Sequence, residues 1–410
     1  MIPPHLLLAY DFPPIGGGIA RWMGELALRY PPGGLIVSTG RYPGARETDP
    51  RFPNRIDRLP VPSGRLRTIP GLLAWSGRAV SLARTTGASF VWCGNVKPAG
   101  YPAKWTLERV GTPYGILVHG ADLLILRHQA HRSRLKRSTA QALLGSASVI
   151  VANSNWTREL ALSVIGEVDA PVPPDRVRAV PLGADPAAFR PGLDTAIVRA
   201  RYRLAPGRWM ITVARLVPHK GIDTGLQVLE RLAGEFPELR YAVVGSGDQL
   251  AELEALARRL GVADRVRFLT GVPDTDLPAL LNVAELYLGA SRREEKSVEG
   301  FGISLAEASA SGVPVVGGRS GGMPDAVLDG KTGLLVDAED AGVVTVAVRR
   351  LLNDPDLARR LGAGGRAAVE RYFNWSRVVS DLRGIADEVI GTASPGARPP
   401  RGARRDSSRP

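Results

Sequence analysis

At 410 residues and 44% hydrophobic content, the chain can fill two cores of roughly 150 to 200 residues each. Its apolar runs fall far short of the ~18 to 20 residues of a membrane-spanning helix, and its opening Met1-Ile2-Pro3-Pro4-His5 lacks the features of a secretory signal. The net charge of +13 is mostly arginine scattered along the chain, without zinc-finger, basic-region or RNP-type spacing, which argues against nucleic acid; the single cysteine, Cys93, excludes an intrachain disulfide and fits a reducing cytoplasmic setting. From residue 5 to about 181, short apolar runs at 6–10, 35–38, 90–93, 116–118 and 149–152 alternate with helical periods such as 19–29 and 72–83. After a non-periodic segment at 181–191 the alternation restarts, with apolar runs at 209–214, 240–244, 266–269, 286–288 and 313–316 and helical periods at 224–232 and 250–260. Such alternation predicts α/β folding with parallel sheets covered by helices, as two doubly wound domains whose strand ends face a common cleft. The expected divisions are 1–185 for the first domain, 186–390 for the second, with amphipathic helices at 355–373 and 375–389, and a basic, disordered tail at 391–410.

The richest stretch is Ser297-Val298-Glu299-Gly300-Phe301-Gly302-Ile303-Ser304-Leu305-Ala306-Glu307. Two carboxylates flank a glycine-rich helix start, where unpaired amides and the helix dipole favour an anion. Glu299 is expected ahead of the helix and Glu307 about two turns inside it, a separation of ~11 Å along the axis. One carboxylate could then meet a sugar and the other a ribose, although two unrelated glutamates on a solvated face have the same spacing.

In the second half, Arg215 ends a predicted strand and Lys220 precedes the next helix, so a planar guanidinium and a point charge could share one phosphate. Two ordinary surface cations would look the same. In the first half, Pro13-Pro14-Ile15-Gly16-Gly17-Gly18-Ile19 is a glycine loop without the Gly-Lys-Ser/Thr of a nucleoside triphosphatase. His119 ends another predicted strand, as a cleft residue or a structural one. His128 and His131 lie among arginines, a poor setting for a metal, and Asp274-Thr275-Asp276 reads as a helix cap rather than a metal site.

Together these segments resemble the retaining glycosyltransferases of family four, whose GT-B fold has two facing Rossmann-like domains. The resemblance runs nearly to residue 390 and is carried by Glu299-Gly300-Phe301-Gly302, Glu307 through Val316, Ser320-Gly321-Gly322-Met323-Pro324-Asp325, Val180-Pro181-Leu182-Gly183-Ala184-Asp185, Arg215 with Lys220, and the early glycine loop. It implies ribose contact by Glu307, sugar contact by Glu299 with the amides of Gly300, Phe301 and Gly302, and diphosphate contact by Arg215 and Lys220. Gly17 and Gly18 would approach the donor from the other domain, Val272 would meet the base, and His119 would sit beside the reacting sugar. Arg21 is a candidate acceptor contact. No cofactor or metal is implied.

Within the family the motifs look most like the mannosyltransferases that use GDP-mannose, including those that elongate phosphatidylinositol mannosides. A nucleotide diphosphate sugar donor and a glycolipid or glycoconjugate acceptor follow from that likeness, and the basic surface matches peripheral contact with the inner face of an anionic membrane. UDP-glucose or UDP-N-acetylglucosamine with a soluble acceptor stays open, as does a nucleotide-sugar-binding protein without activity. A dinucleotide-dependent oxidoreductase is disfavoured, because Gly16-Gly17-Gly18 lacks the Gly-x-Gly-x-x-Gly spacing.

Overall fold

Short runs of aliphatic residues, too apolar for an exposed strand face, become the interiors of two parallel sheets covered by helices. The structure is a computed structural model, and it describes residues 3–295 and 297–392. The first sheet contains β1 (His5–Leu8), β2 (Leu35–Arg41), β3 (Arg55–Pro62), β4 (Phe90–Cys93), β5 (Tyr114–Val118), β6 (Val149–Ala152) and β7 (Val177–Ala179). The second contains β8 (Arg208–Val213), β9 (Leu239–Val244), β10 (Val266–Leu269), β11 (Leu286–Gly289), β12 (Val315–Gly318) and β13 (Leu334–Val336). Their orders are β3-β2-β1-β4-β5-β6-β7 and β10-β9-β8-β11-β12-β13, with every paired strand parallel.

In each sheet the winding reverses once, between β1 and β4 in the first and between β8 and β11 in the second. At such a reversal the loops after the two strands diverge, leaving a crevice at the carboxyl ends. The glycine loop follows β1, and the segment carrying Arg215 and Lys220 follows β8. Sequence order therefore delivers both motifs to the crevices.

Three strands, β3, β7 and β13, lie outside the predicted set. All three are sheet edges, where a strand is covered less completely and needs fewer apolar residues. The last helix, Trp375–Thr392, buries Trp375, Val378, Val379, Leu382 and Ala386 in a cluster shared with Trp22 and Met23 of the first domain. Arg377 donates to the carbonyl of Pro181, and both guanidinium nitrogens of Arg178 reach Glu388, at 2.5 and 2.8 Å. The helix includes Gly391 and Thr392, two positions expected in the tail, whereas residues 393–410 of that expectation lie outside the described residues.

A second correction concerns the glutamate-rich motif. The helix begins only at Ile303, because Gly302 adopts φ 102°, so Glu307 is its fifth residue and sits about one turn inside rather than two.

Candidate active site

The loop after β11 returns across the crevice and opens into helix Ile303–Ala310. A recess there is walled by Thr212, Val213 and Ala214 from β8 and its exit, together with Lys220, Glu299 and Ser304. The Lys220 ammonium donates to the Glu299 carboxylate, and both side chains are mostly shielded. Tyr287 also lines it, its hydroxyl lying 2.7 Å from Ser304 Oγ and 3.2 Å from the Val213 carbonyl. Burial and the neighbouring Lys220 push the His219 imidazole down to about 4, so this side chain is neutral beside the lysine.

Glu307 lies deeper, with a side chain only 7% exposed. Burial pushes its carboxyl up, and the guanidinium of Arg21 pulls it back. Arg21 comes from helix Gly18–Arg29 of the other domain and bridges Glu307 at 2.8 Å and Asp274 at 3.1 Å. Its guanidinium is thus committed to the second domain's carboxylates. Asp274 and Asp276 are not helix caps: helix Leu277–Leu281 has no side-chain cap bond, and Asp276 instead takes Arg201 at 2.5 Å and the Tyr202 hydroxyl at 2.6 Å. Among the described residues no group of three or more metal-ligating side chains comes together, and His131 pairs with Glu167 at 3.0 Å.

The first domain meets the glycine motif directly. His119 Nε2–H donates to the Gly94 carbonyl at 2.6 Å, its ring stands edge-on to Trp22 at 5.0 Å, and its amide donates to Asp122 at 2.9 Å. A Cβ at Gly300 would strike the carbonyl of His119, so only glycine permits this approach between domains. The Thr157 hydroxyl donates to the Gly300 carbonyl at 3.4 Å, while Asn155 and the Trp156 amide donate to Asp325 at 2.7 and 3.2 Å. Gly17 adopts φ 116°, and a Cβ built at Gly18 would stand 3.7 Å from Ile303. Two helix N-termini, one from each domain, are therefore juxtaposed.

Of the residues singled out in the sequence, Lys220, Glu299 and Gly302 share the recess, Gly300 meets His119, and Gly18 faces the helix that carries Glu307. Phe301 is buried and packs toward Phe373 with ring centres 6.1 Å apart, which leaves its backbone as the part on offer. Arg215 and Val272 stand outside the recess walls: Arg215 is exposed and makes no ion pair among the described residues, and Val272 packs half-buried on the core. Asp325, which closes a motif quoted above but was given no role there, and Asn155 and Thr157, which sequence reasoning passed over, join the domains. No local signal marks these contacts, because the partners are more than 140 positions apart.

The chain is similar to known proteins. Residues 16–188 match the family described as Glycosyltransferase Family 4, and residues 199–368 match Glycosyl transferases group 1. The GDP-mannose-dependent alpha-(1-6)-phosphatidylinositol monomannoside mannosyltransferase of Mycolicibacterium smegmatis is 33% identical over 90% of this chain and 94% of its own. The chain belongs to glycosyltransferase family four. A D-inositol 3-phosphate glycosyltransferase of Corynebacterium efficiens is 33% identical over 71% of this chain and 70% of its own. This family-four enzyme is a hexosyltransferase, and its two facing parallel-sheet domains form a GT-B fold. Sucrose-phosphate synthase from Thermosynechococcus elongatus superposes with a TM-score of 0.76 at 22% identity, covering 95% of this chain and 100% of that one. Anabaena HepE, solved with UDP and glucose, gives 0.75 at 19% identity, over 93% and 99%.

Proposed function

We propose that this transferase moves mannose from GDP-mannose, with retention of configuration, to a hydroxyl of a phosphorylated glycolipid acceptor. The observation that carries the reading is the placement of Lys220 and Glu299, ion-paired, in the wall of one recess, with Glu307 one turn into the helix that opens there. That set offers a cation for a leaving diphosphate and two carboxylates for sugar and ribose hydroxyls. The donor identity draws support from the mannosyltransferase of M. smegmatis, which matches across 94% of its length. The net charge of +13 and an acceptor with a lipid tail favour work at the cytoplasmic face of an anionic membrane. No helix among the described residues is long and apolar enough to cross one.

In this reading the bond from the anomeric carbon to the diphosphate oxygen breaks as the acceptor oxygen arrives on the same face. A phosphate oxygen takes the acceptor's proton, and GDP leaves. Lys220, Arg215 and the amides at the start of helix Ile303–Ala310 stabilise the departing charge. Glu299 and the amides of Gly300, Phe301 and Gly302 hold the sugar, Glu307 holds the ribose, and Val272 meets the base. Gly17 and Gly18 approach the phosphates from the first domain, and the His119 carbonyl faces the positive charge developing at the anomeric carbon. Closure of the domains excludes water during this step.

A thermal-shift panel of GDP-mannose, UDP-glucose, UDP-N-acetylglucosamine, GDP, UDP and NAD tests the donor assignment, because a ligand that binds only the folded state raises Tm. A shift confined to the guanosine ligands is expected. A shift confined to the uridine ligands would replace the donor, and NAD alone would remove the transferase reading.

A further inference from the structure

The reversal of winding between β1 and β4 gives the first domain a crevice of its own, and one carboxylate there has no part in the roles above. Asp11 stands just beyond the end of β1 and is half-buried. Its side chain accepts no hydrogen bond and makes no ion pair among the described residues. Burial pushes the carboxyl up, and first the Arg67 guanidinium and then the His119 imidazole pull it back. Neither of these neighbours bonds it. Arg67 lies over the Tyr10 ring, its guanidinium carbon 4.1 Å from the ring centre, and His119 gives its Nε2–H to the Gly94 carbonyl.

The backbone around Asp11 is nevertheless closely held. The Tyr42 hydroxyl donates to the Tyr10 carbonyl at 2.6 Å and Arg58 donates to the Pro13 carbonyl at 2.6 Å, so the chain is pinned on both sides. Phe12 is fully buried against Phe52, with ring centres 5.1 Å apart, and the Pro13 ring lies 2.9 Å from a Cβ built at Gly24 of helix Gly18–Arg29. A carboxylate fixed by its neighbours and left without a partner is a prepared hydrogen-bond acceptor, because a partly desolvated charge is costly until something donates to it.

The crevice also places Asp11 beside the site. The Gly94 amide donates to the Leu8 carbonyl at 2.9 Å, and the Gly94 carbonyl takes the His119 ring proton at 2.6 Å, which ties the exit of β1 to the His119 turn. The His119 carbonyl meets Gly300 across the cleft, and the loop that starts at Asp11 ends at Gly18, against Ile303. The occupant follows by chemistry. A carboxylate repels a diphosphate and suits hydroxyl donors, and in the proposed function the donor's own hydroxyls are held by Glu299 and Glu307. The remaining hydroxyls in the cleft are the acceptor's.

We infer that Asp11 is an acceptor-binding residue, whose carboxylate accepts hydrogen bonds from the hydroxyls next to the attacking one and thereby turns the attacking oxygen toward the anomeric carbon. The attacking hydroxyl keeps its proton for the phosphate oxygen, and Asp11 gains neither a proton nor a bond. The inference rests on the transferase reading, to which it adds the residue that decides which acceptor hydroxyl is used.

The test compares the full-length wild type with Asp11→Asn and Asp11→Ala, using GDP-mannose and, as the probe acceptor, phosphatidylinositol monomannoside in detergent micelles. Transfer to the lipid, release of free mannose to water and GDP affinity are measured for each. In Asp11→Asn, kcat/KM for the lipid should fall by roughly tenfold to a hundredfold, the range of a hydrogen bond to a charged group, while release to water and GDP affinity stay unchanged. Unchanged transfer overturns the inference, and so does an equal fall in transfer, release to water and GDP affinity, which would make Asp11 a structural or donor residue. Analogues of the lipid that each lack one ring hydroxyl give a second reading that needs no variant: the wild type should discriminate strongly against one of them, and tolerance of every single deletion overturns the inference. A wild type that neither cleaves GDP-mannose nor binds GDP overturns the transferase reading itself, whereas an active wild type matched by both variants removes only the role of Asp11.

Discussion

Arg21 of the first domain and Glu307 of the second form an ion pair of 2.8 Å across the cleft, and the same guanidinium reaches Asp274 at 3.1 Å. A carboxylate buried this deeply needs a partner, and Arg21 supplies it from the other domain. Donor binding, in the proposed function, asks the ribose hydroxyls to share or take that position. The pair therefore ties ligand recognition to the relation between the domains.

Removing one partner of a buried pair leaves the other charge uncompensated, at a cost of about 3 to 5 kcal/mol; partial exposure of Arg21 places Arg21→Ala near the lower end. Urea unfolding of Arg21→Ala, Glu307→Gln and the double variant should give a coupling energy of about 1 to 3 kcal/mol. Additive single effects would show that the contact contributes nothing to stability.

Lys220→Ala is expected to lower kcat by two orders of magnitude or more with the fold intact, because it removes a cation assigned to the leaving diphosphate. Glu307→Ala should act mainly on donor affinity. The two are separated by measuring kcat and donor KM with GDP-mannose. Unchanged turnover in the lysine variant would refute the leaving-group role.

Gly300→Ala puts a methyl group into the His119 carbonyl and within 2.8 Å of the Asn153 amide nitrogen. The obstruction lies between domains, so its cost should fall on closure. A displacement on the order of 1 Å at a reacting centre costs about 100-fold in rate, and kcat/KM should fall by that much while GDP affinity changes little. Normal catalysis would mean that the active state does not close through this contact.

His5 and His219 are both pushed down to about 4, chiefly by burial. Each stays neutral in the folded protein while the unfolded chain takes up a proton below about pH 6.5. Their contribution is complete above that pH and is lost as the pH falls from about 6.5 to 4, with a slope of at most about 1.4 kcal/mol per pH unit for each histidine. Urea unfolding at pH 7 and pH 5 should show a smaller acid loss for His5→Gln and His219→Gln than for the wild type. Equal losses would remove both histidines from the account.

The interior strands were legible because parallel strands covered on both faces are written as unbroken apolar runs, as in Leu6-Leu7-Leu8 and Tyr241-Ala242-Val243-Val244. Edge strand β3 was not, since Arg55-Ile56-Asp57-Arg58 alternates charge with one apolar residue. The neighbourhood of Lys220, Glu299 and the glycines could be read from motif order along one domain. The partners of Arg21 could not: its charge is compensated by residues 253 and 286 positions away, which only the approach of the domains supplies. The Asp274-Thr275-Asp276 segment shows the same limit, because capping is a local rule and its carboxylates answer to distant arginines.

The return of helix Trp375–Thr392 to the first domain means that the backbone passes between the two halves twice, once near Pro181 and again near Phe373 and Asn374, where the amide of Ala184 donates to the Phe373 carbonyl at 2.9 Å. Two adjacent crossings tie the halves side by side at one place. They also make the halves inseparable by simple excision: a fragment beginning after Pro191 would carry a C-terminal helix with Val378, Leu382 and Ala386 stripped of their packing partners, while a chain cut before Trp375 would leave the matching groove on the first half uncovered.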